Sequence, residues 1–218
     1  MKTVYSFFGD FYHNHSFIYP AVKAAASQIS DIQLIDTTVD KMEDALSRNP
    51  SAIIMGRENR INPQDEVVDT WLTPALDEKI TSYVKNGGRF LAIHAALASY
   101  DPGTKYTQML KGYFLSHPQD HCPVRFTSNE TMPFKNTAPF DYEVVDEHYF
   151  LEVEEESTTV FMHSKSEHGG NYGGWYHSYG DGKVICIVPT HRKEGFEHPE
   201  TVRLIYESLK WVLYSNSA

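Results

Sequence analysis

The chain has 218 residues, is 41% hydrophobic and 13% aromatic, and carries a formal net charge of −10. This length fits one domain, residues 1–218, with a core large enough to need no disulfide staples. The composition excludes a disordered chain, and the acidic balance excludes the basic footprint of a nucleic-acid binder.

No stretch approaches the roughly 20 apolar residues that a membrane helix needs. Met1-Lys2-Thr3-Val4-Tyr5-Ser6 runs straight into a strand pattern rather than into a signal peptide. A cytoplasmic protein is expected, with Cys122 and Cys186 as free thiols.

Short apolar runs alternate with helical spacing, the pattern of a parallel sheet with crossover helices. Residues 4–8 read as a first strand, broken by Gly9-Asp10. Phe17, Ala21, Val22, Ala25 and Ile29 then fall at helical spacing. Residues 32–35 form a second strand, residues 42–46 a short helix, and residues 51–55 a third strand. A polar loop covers residues 57–65. Thr73-Pro74 opens a helix with Thr73 as N-cap, and Gly87-Gly88 closes it. Residues 89–93 are a central fourth strand.

The middle is less regular. Residues 104–111 suit a helix, and Pro118, Pro123, Pro133 and Pro139 then favour short edge strands and loops. Residues 158–162 read as a strand and residues 169–174, rich in glycine, as a flexible turn. Residues 176–179 and 183–188 form a hairpin around Gly180-Asp181-Gly182. A C-terminal helix buries Val202, Ile205, Leu209, Val212 and Leu213.

Two asymmetries bear on function. Asp141, Glu143, Asp146, Glu147, Glu152, Glu154, Glu155 and Glu156 share one stretch with no Lys or Arg. The chain also has 11 histidines. His94 stands at the end of the fourth strand, with alanine two residues before and two after. That spacing resembles a nucleophile elbow, a sharp strand-to-helix turn that needs small flanking residues. It places His94 above the carboxyl ends of the strands, where open α/β sheets bind ligands. His191 follows the last strand, and His117, Glu147, His13 and His15 lie on loops within reach of the same rim.

His94, His117, His191 and Glu147 are of metal-ligand type, but no HExxH or paired-cysteine pattern occurs. His13-Asn14-His15 sits on a loop and is weighed as chance. No cofactor is called for, and a divalent metal such as Zn is left open. The glycine run fits neither GxGxxG nor a Walker A loop.

Taken in order, the blocks resemble the ThuA-like (trehalose-utilisation) family over nearly the whole chain. Residues 83–96 resemble its YV..GG…..HAA block, and Gly112-Tyr113-Phe114 with His117-Pro118 its G-x-F-x-x-HP block. Asp146-Glu147-His148-Tyr149 resembles DE-x-Y. Gly180-Asp181-Gly182-Lys183-Val184 with Thr190-His191 resembles GxGRV…GH. Pro199 and the helix through Trp211 resemble the closing stretch. Two departures stand out. A second His-Pro is replaced by Asn136-Thr137-Ala138-Pro139-Phe140, and Thr190 replaces the glycine of the final GH.

The resemblance implies a three-layer α/β/α, flavodoxin-like fold of the class I glutamine amidotransferase-like type, with a mainly parallel sheet and extra hairpin elements. Glutamine hydrolysis is not expected, because His94 stands where an amidotransferase has its cysteine. The family points instead to sugar catabolism, with disaccharides such as trehalose and their 3-keto derivatives as substrates, and so to a hydrolase, lyase or isomerase. His94 is assigned as base, with Glu147 and His191 orienting it or donating a proton. Tyr12, His13, His117, Tyr149 and Trp175 are assigned to sugar binding. The partner is a small-molecule sugar, with neither nucleic acid nor membrane; a homo-oligomer is admissible. The alternatives are a non-catalytic sugar-binding protein and a metal-dependent hydrolase using the same histidines.

Overall fold

Alternation along the apolar runs decides the layers. In the computed structural model, which describes residues 1–215, Phe90 and Ala92 enter one core while Leu91 and Ile93 enter the other. Ile53 and Met55 split from Ala52 and Ile54 in the same way. A strand buried on both faces has no polar side, which is why these runs are continuous.

In chain order the strands are β1 (Lys2–Phe8), β2 (Ile32–Thr37), β3 (Ala52–Gly56), β4 (Arg89–Ile93), β5 (Gly112–Ser116) and β6 (Cys122–Ser128). They continue with β7 (Asp141–Asp146), β8 (Phe150–Val153), β9 (Thr159–Ser166), β10 (Gly169–Tyr179) and β11 (Gly182–Ile187). The helices are α1 (His15–Ala26), α2 (Met42–Ser47), α3 (Pro74–Lys85), α4 (Lys105–Leu110), α5 (Lys193–Glu197) and α6 (Pro199–Tyr214). Residues of α1 and α6 share one core with the sheet; residues of α2, α3 and α4 share the other.

The main sheet has nine strands in the order β2-β1-β3-β4-β11-β10-β9-β6-β7. The first five are parallel, as the alternating pattern predicts. The other four extend them as an antiparallel half, so the sheet is mixed. Strands β5 and β8 form a separate two-stranded sheet. The outer edge of the antiparallel half contacts the first turns of α6. Tyr142 of β7 stacks on His198 at a centroid distance of 5.0 Å, and Arg203 donates to the carbonyls of Ala138 and Pro139.

Local signals hold where their chemistry is explicit. Thr73 Oγ1 accepts from Leu76 N–H at 3.2 Å and caps α3. Gly87 takes φ +104°, the left-handed region that glycine tolerates best. Residues 169–174 differ from expectation: they begin strand β10 instead of forming a flexible turn. The glycines there are packing requirements. A Cβ on Gly173 would meet Met162 Cγ at 2.7 Å, and one on Gly174 would meet Phe161 Cζ at 2.7 Å. Despite its proline, β6 is also an interior strand, with Pro123 on the exposed face opposite Val145. Cys122 and Cys186 are buried free thiols. Among the described residues, no helix is long and apolar enough to cross a membrane.

Candidate functional site

Because β1, β3, β4 and β11 are parallel, their carboxyl ends share one edge of the sheet. Each of β1, β4 and β11 delivers a histidine there through the loop that follows it.

His94 is the elbow. Its φ of +44° lies in the left-handed region, uncommon for a residue with a side chain, and a short 3-10 turn over His94–Leu97 follows. Ala92 and Ala96 are fully buried, which explains the small flanking residues. The imidazole is 2% exposed and stacks on Tyr149, centroids 3.9 Å apart. Its Nδ1 lies 2.8 Å from the carbonyl oxygen of Val188. A carbonyl only accepts, so Nδ1 carries the proton and donates. The Nε2 lone pair is left buried, with no hydrogen-bond partner.

His13 is fixed in the same sense. Asp10 Oδ1 lies 2.7 Å from its Nδ1 and also accepts the backbone N–H of Tyr12 and of His13, each at 2.9 Å. Asp10 Oδ2 accepts from Glu58 N–H at 2.9 Å. Burial works against the Asp10 carboxylate, but its hydrogen bonds and the charge of His13 outweigh it and lower its pKa. With the proton on Nδ1, His13 Nε2 is the acceptor, and the Tyr149 hydroxyl donates to it weakly at 3.4 Å. His191 is placed through its main chain, since Asp146 Oδ1 accepts its N–H at 2.8 Å. Asp146 itself is fully buried, and that burial raises its pKa.

Glu147 joins the group from just beyond the end of β7. Its Oε2 is 3.7 Å from His94 Nε2 and 3.3 Å from His191 Nδ1. Its Oε1 faces His117 Nε2 at 3.9 Å and His121 Nε2 at 3.7 Å. Burial disfavours the Glu147 carboxylate, yet the surrounding histidines, His94 first, lower its pKa to about 2. Burial also disfavours the His94 imidazolium, but Glu147 and Asp146 overcome it and raise its pKa. Burial and the neighbouring His94 push His191 down to about 3.

One ligand-type atom from each of His13, His94, Glu147 and His191 lies within 4.8 Å of all the others. The adjoining cavity has about 10 Å³ of free space, room for one water or ion and not for a sugar ring. A larger ligand would rest outside, over the mouth.

The structure thus joins His94, Glu147, His191 and His13, with His117 at the mouth and Tyr149 as the shelf under His94. Tyr12 is on the adjoining loop, half exposed, 5.5 Å from the Arg60 guanidinium. Trp175 is not brought to the site: its indole is fully buried and donates to the Leu110 carbonyl at 2.8 Å. His15 turns away to Asp36 at 2.7 Å. Sequence reasoning missed His121, Asp10 and Asp146. For His121 the signal was its position four residues after His117; for Asp10, its place just past a buried strand.

Fold and cluster together define an α/β protein that gathers histidines and a carboxylate at the carboxyl edge of its parallel strands. The chain belongs to the ThuA family, trehalose utilisation, which matches residues 7–212. Its structure is similar to a ThuA-like protein from Bacteroides uniformis, with TM-score 0.74 and 17% identity, covering 100% of this chain and 93% of that one. It is also similar to a ThuA-like protein from Parabacteroides merdae, with TM-score 0.73 and 10% identity, covering 100% and 92%. A β-galactosidase from Rahnella sp. R3 matches with TM-score 0.63 and 12% identity, over 93% of this chain and 31% of that one. At such identities the likeness shows the fold alone. No curated protein matches the chain.

Proposed function

We propose that this chain is an enzyme of carbohydrate catabolism, acting on a disaccharide or keto-sugar at the His94–Glu147–His191 cluster. The observation that carries the reading is the aim of two buried imidazole nitrogens, His94 Nε2 and His191 Nδ1. Neither has a hydrogen-bond partner, and both face one Glu147 oxygen. Buried polar atoms are nearly always paired, so unpaired ones converging on a carboxylate suit a reacting group better than a structural contact.

The sugar rests at the mouth, against Tyr12, His117 and His121, with Tyr149 and His13 below. A hydrogen beside a ketone carbonyl is acidic enough for a positioned side chain to remove. Glu147 is the member with one oxygen toward the mouth, so it meets the substrate, while His94 and His191 hold it. Family membership supports the substrate class. The strand order β2-β1-β3-β4-β11 and the elbow support the finer fold reading, a flavodoxin-like domain of the amidotransferase-like type. The buried Cys122 and Cys186 lie at neither elbow nor mouth, so a thiolate-based glutamine hydrolysis has no nucleophile.

The test is incubation of purified protein with trehalose, other disaccharides and their 3-keto forms, with products followed by NMR. Turnover of one of them that Glu147→Gln abolishes is the expected result. Binding without any product over long incubation would replace the enzyme with a sugar-binding protein.

A further inference from the structure

The geometry points to a divalent transition-metal centre in which His13 Nε2, His94 Nε2, a ring nitrogen of His191 and Glu147 Oε2 are the ligands. This deepens the reading above by naming what would polarise a sugar oxygen, and rests on that reading only for the substrate.

Three observations carry it independently of any substrate. The first is convergence: four donor atoms from three loops and the end of β7 lie within 4.8 Å of one another. Zn–N bonds are about 2.0–2.1 Å, so ligands stand ~3.4 Å apart in a tetrahedron and ~4.2 Å apart across an octahedron. Small side-chain rotations bring the four atoms to one ion.

The second is tautomer control. Asp10 and the Val188 carbonyl each take the Nδ1 proton of a histidine, of His13 at 2.7 Å and of His94 at 2.8 Å. Both Nε2 lone pairs are thereby directed away from the protonated Nδ1, that of His94 unpaired and that of His13 engaged only by a long 3.4 Å contact from the Tyr149 hydroxyl. Metal-ligating histidines characteristically donate their other ring N–H to a carboxylate or backbone carbonyl.

The third is the pair of orphaned nitrogens. His94 Nε2 and His191 Nδ1 are buried without a hydrogen-bond partner. Glu147 lies too far from His94 to satisfy it, at 3.7 Å. An ion satisfies both at once.

Three imidazoles and one carboxylate suit Zn²⁺, Fe²⁺, Co²⁺ or Ni²⁺ rather than Mg²⁺ or Ca²⁺, which prefer oxygen. The cavity beside the ligands has room for an ion or a water. In this arrangement His94 and His191 are ligands, and His117 and His121 at the mouth are the side chains placed to move protons.

The experiment is metal analysis of protein purified without chelator. It is followed by calorimetric titration of stripped protein with Zn²⁺, and by the visible spectrum with Co²⁺. We expect one ion per chain, a dissociation constant of micromolar or tighter, and Co²⁺ absorption typical of nitrogen and oxygen ligation. His13→Ala and His191→Ala weaken binding at least tenfold, while the exposed His163→Ala leaves it unchanged. Asp10→Asn, which leaves all four ligands in place, weakens it by ~10–100-fold. Circular dichroism checks that each variant is folded. Millimolar or weaker binding by the wild-type chain would overturn the centre, as would unchanged affinity in folded His13→Ala and His191→Ala. Tight binding with no sugar turnover keeps the centre and removes the sugar reading; turnover by stripped protein that lacks affinity does the reverse.

Discussion

Asp10 and His13 form a closed unit in which one carboxylate oxygen takes both the ring Nδ1 proton and the backbone N–H of the same histidine, at 2.7 and 2.9 Å. The loop after β1 is therefore ordered around a side chain that does not itself face the cluster's centre. Removing that carboxylate leaves four donors, three of them backbone N–H groups, to find other partners. Asp10→Ala is expected to destabilise the fold by about 2–4 kcal/mol, from hydrogen bonds to a charged acceptor in a buried setting. Urea denaturation measures it; a loss below about 0.5 kcal/mol would mean that the loop does not depend on Asp10.

The elbow separates folding from function. Asparagine tolerates the left-handed region, so His94→Asn keeps the φ of +44° without added strain. It loses the stack on Tyr149 and the Nε2 atom. We expect a folded protein, with near-native circular dichroism, whose sugar turnover falls by at least ~10²-fold. Activity within a factor of two of wild type would remove His94 from the chemistry.

His177, distant in role from the cluster, sets a pH limit on stability. Its Nε2 contacts the Met109 carbonyl at 2.8 Å, and burial lowers its pKa to about 4. The unfolded chain, with an ordinary value of 6.5, takes up the proton first as pH falls. The stability that the neutral ring contributes is thus complete above pH 6.5 and is lost as pH drops from 6.5 toward 4. At 1.36 kcal/mol per unit the full loss is about 3 kcal/mol. Urea midpoints of wild type and His177→Gln at successive pH values check this. Parallel pH dependences would assign the effect to other groups.

Gly182 is required by its neighbours rather than by its backbone angle. A Cβ there would stand 1.9 Å from the Val84 carbonyl oxygen and 2.4 Å from that of Gly88. Both are main-chain atoms that cannot rotate away. Gly182→Ala is expected to destabilise by about 2–3 kcal/mol, the upper part of the range for overpacking. Thermal unfolding reads it; an unchanged melting temperature would mean that the junction of α3 and β11 is loose.

Much of the parallel half was legible because its signals are local. Residues 52–56 and 90–93 are apolar on both faces, and Thr73-Pro74 caps its helix by hydroxyl and ring geometry alone. The elbow was legible from Ala92, His94 and Ala96. The antiparallel half was not. In residues 169–174 glycines looked like flexibility but answer to Met162 and Phe161, whose approach no local pattern encodes. Trp175 looked like a sugar platform because aromatic residues serve both cores and binding sites. Only its burial against Leu110 distinguishes the two. The value of His13 was hidden for a similar reason: its loop acquires meaning only beside residues 94, 147 and 191.

The placement of Glu147, just past β7, beside histidines of the parallel half has a consequence for how the protein matures. The four convergent side chains come from sequence positions 13, 94, 147 and 191, so only a segment that runs at least from residue 13 to residue 191 contains the cluster. Contacts between such distant positions form late, because large loops must close before they are rewarded. A spectroscopic signal from this cluster would therefore report the joining of the two halves of the sheet, the closing event of folding, rather than the collapse of either half.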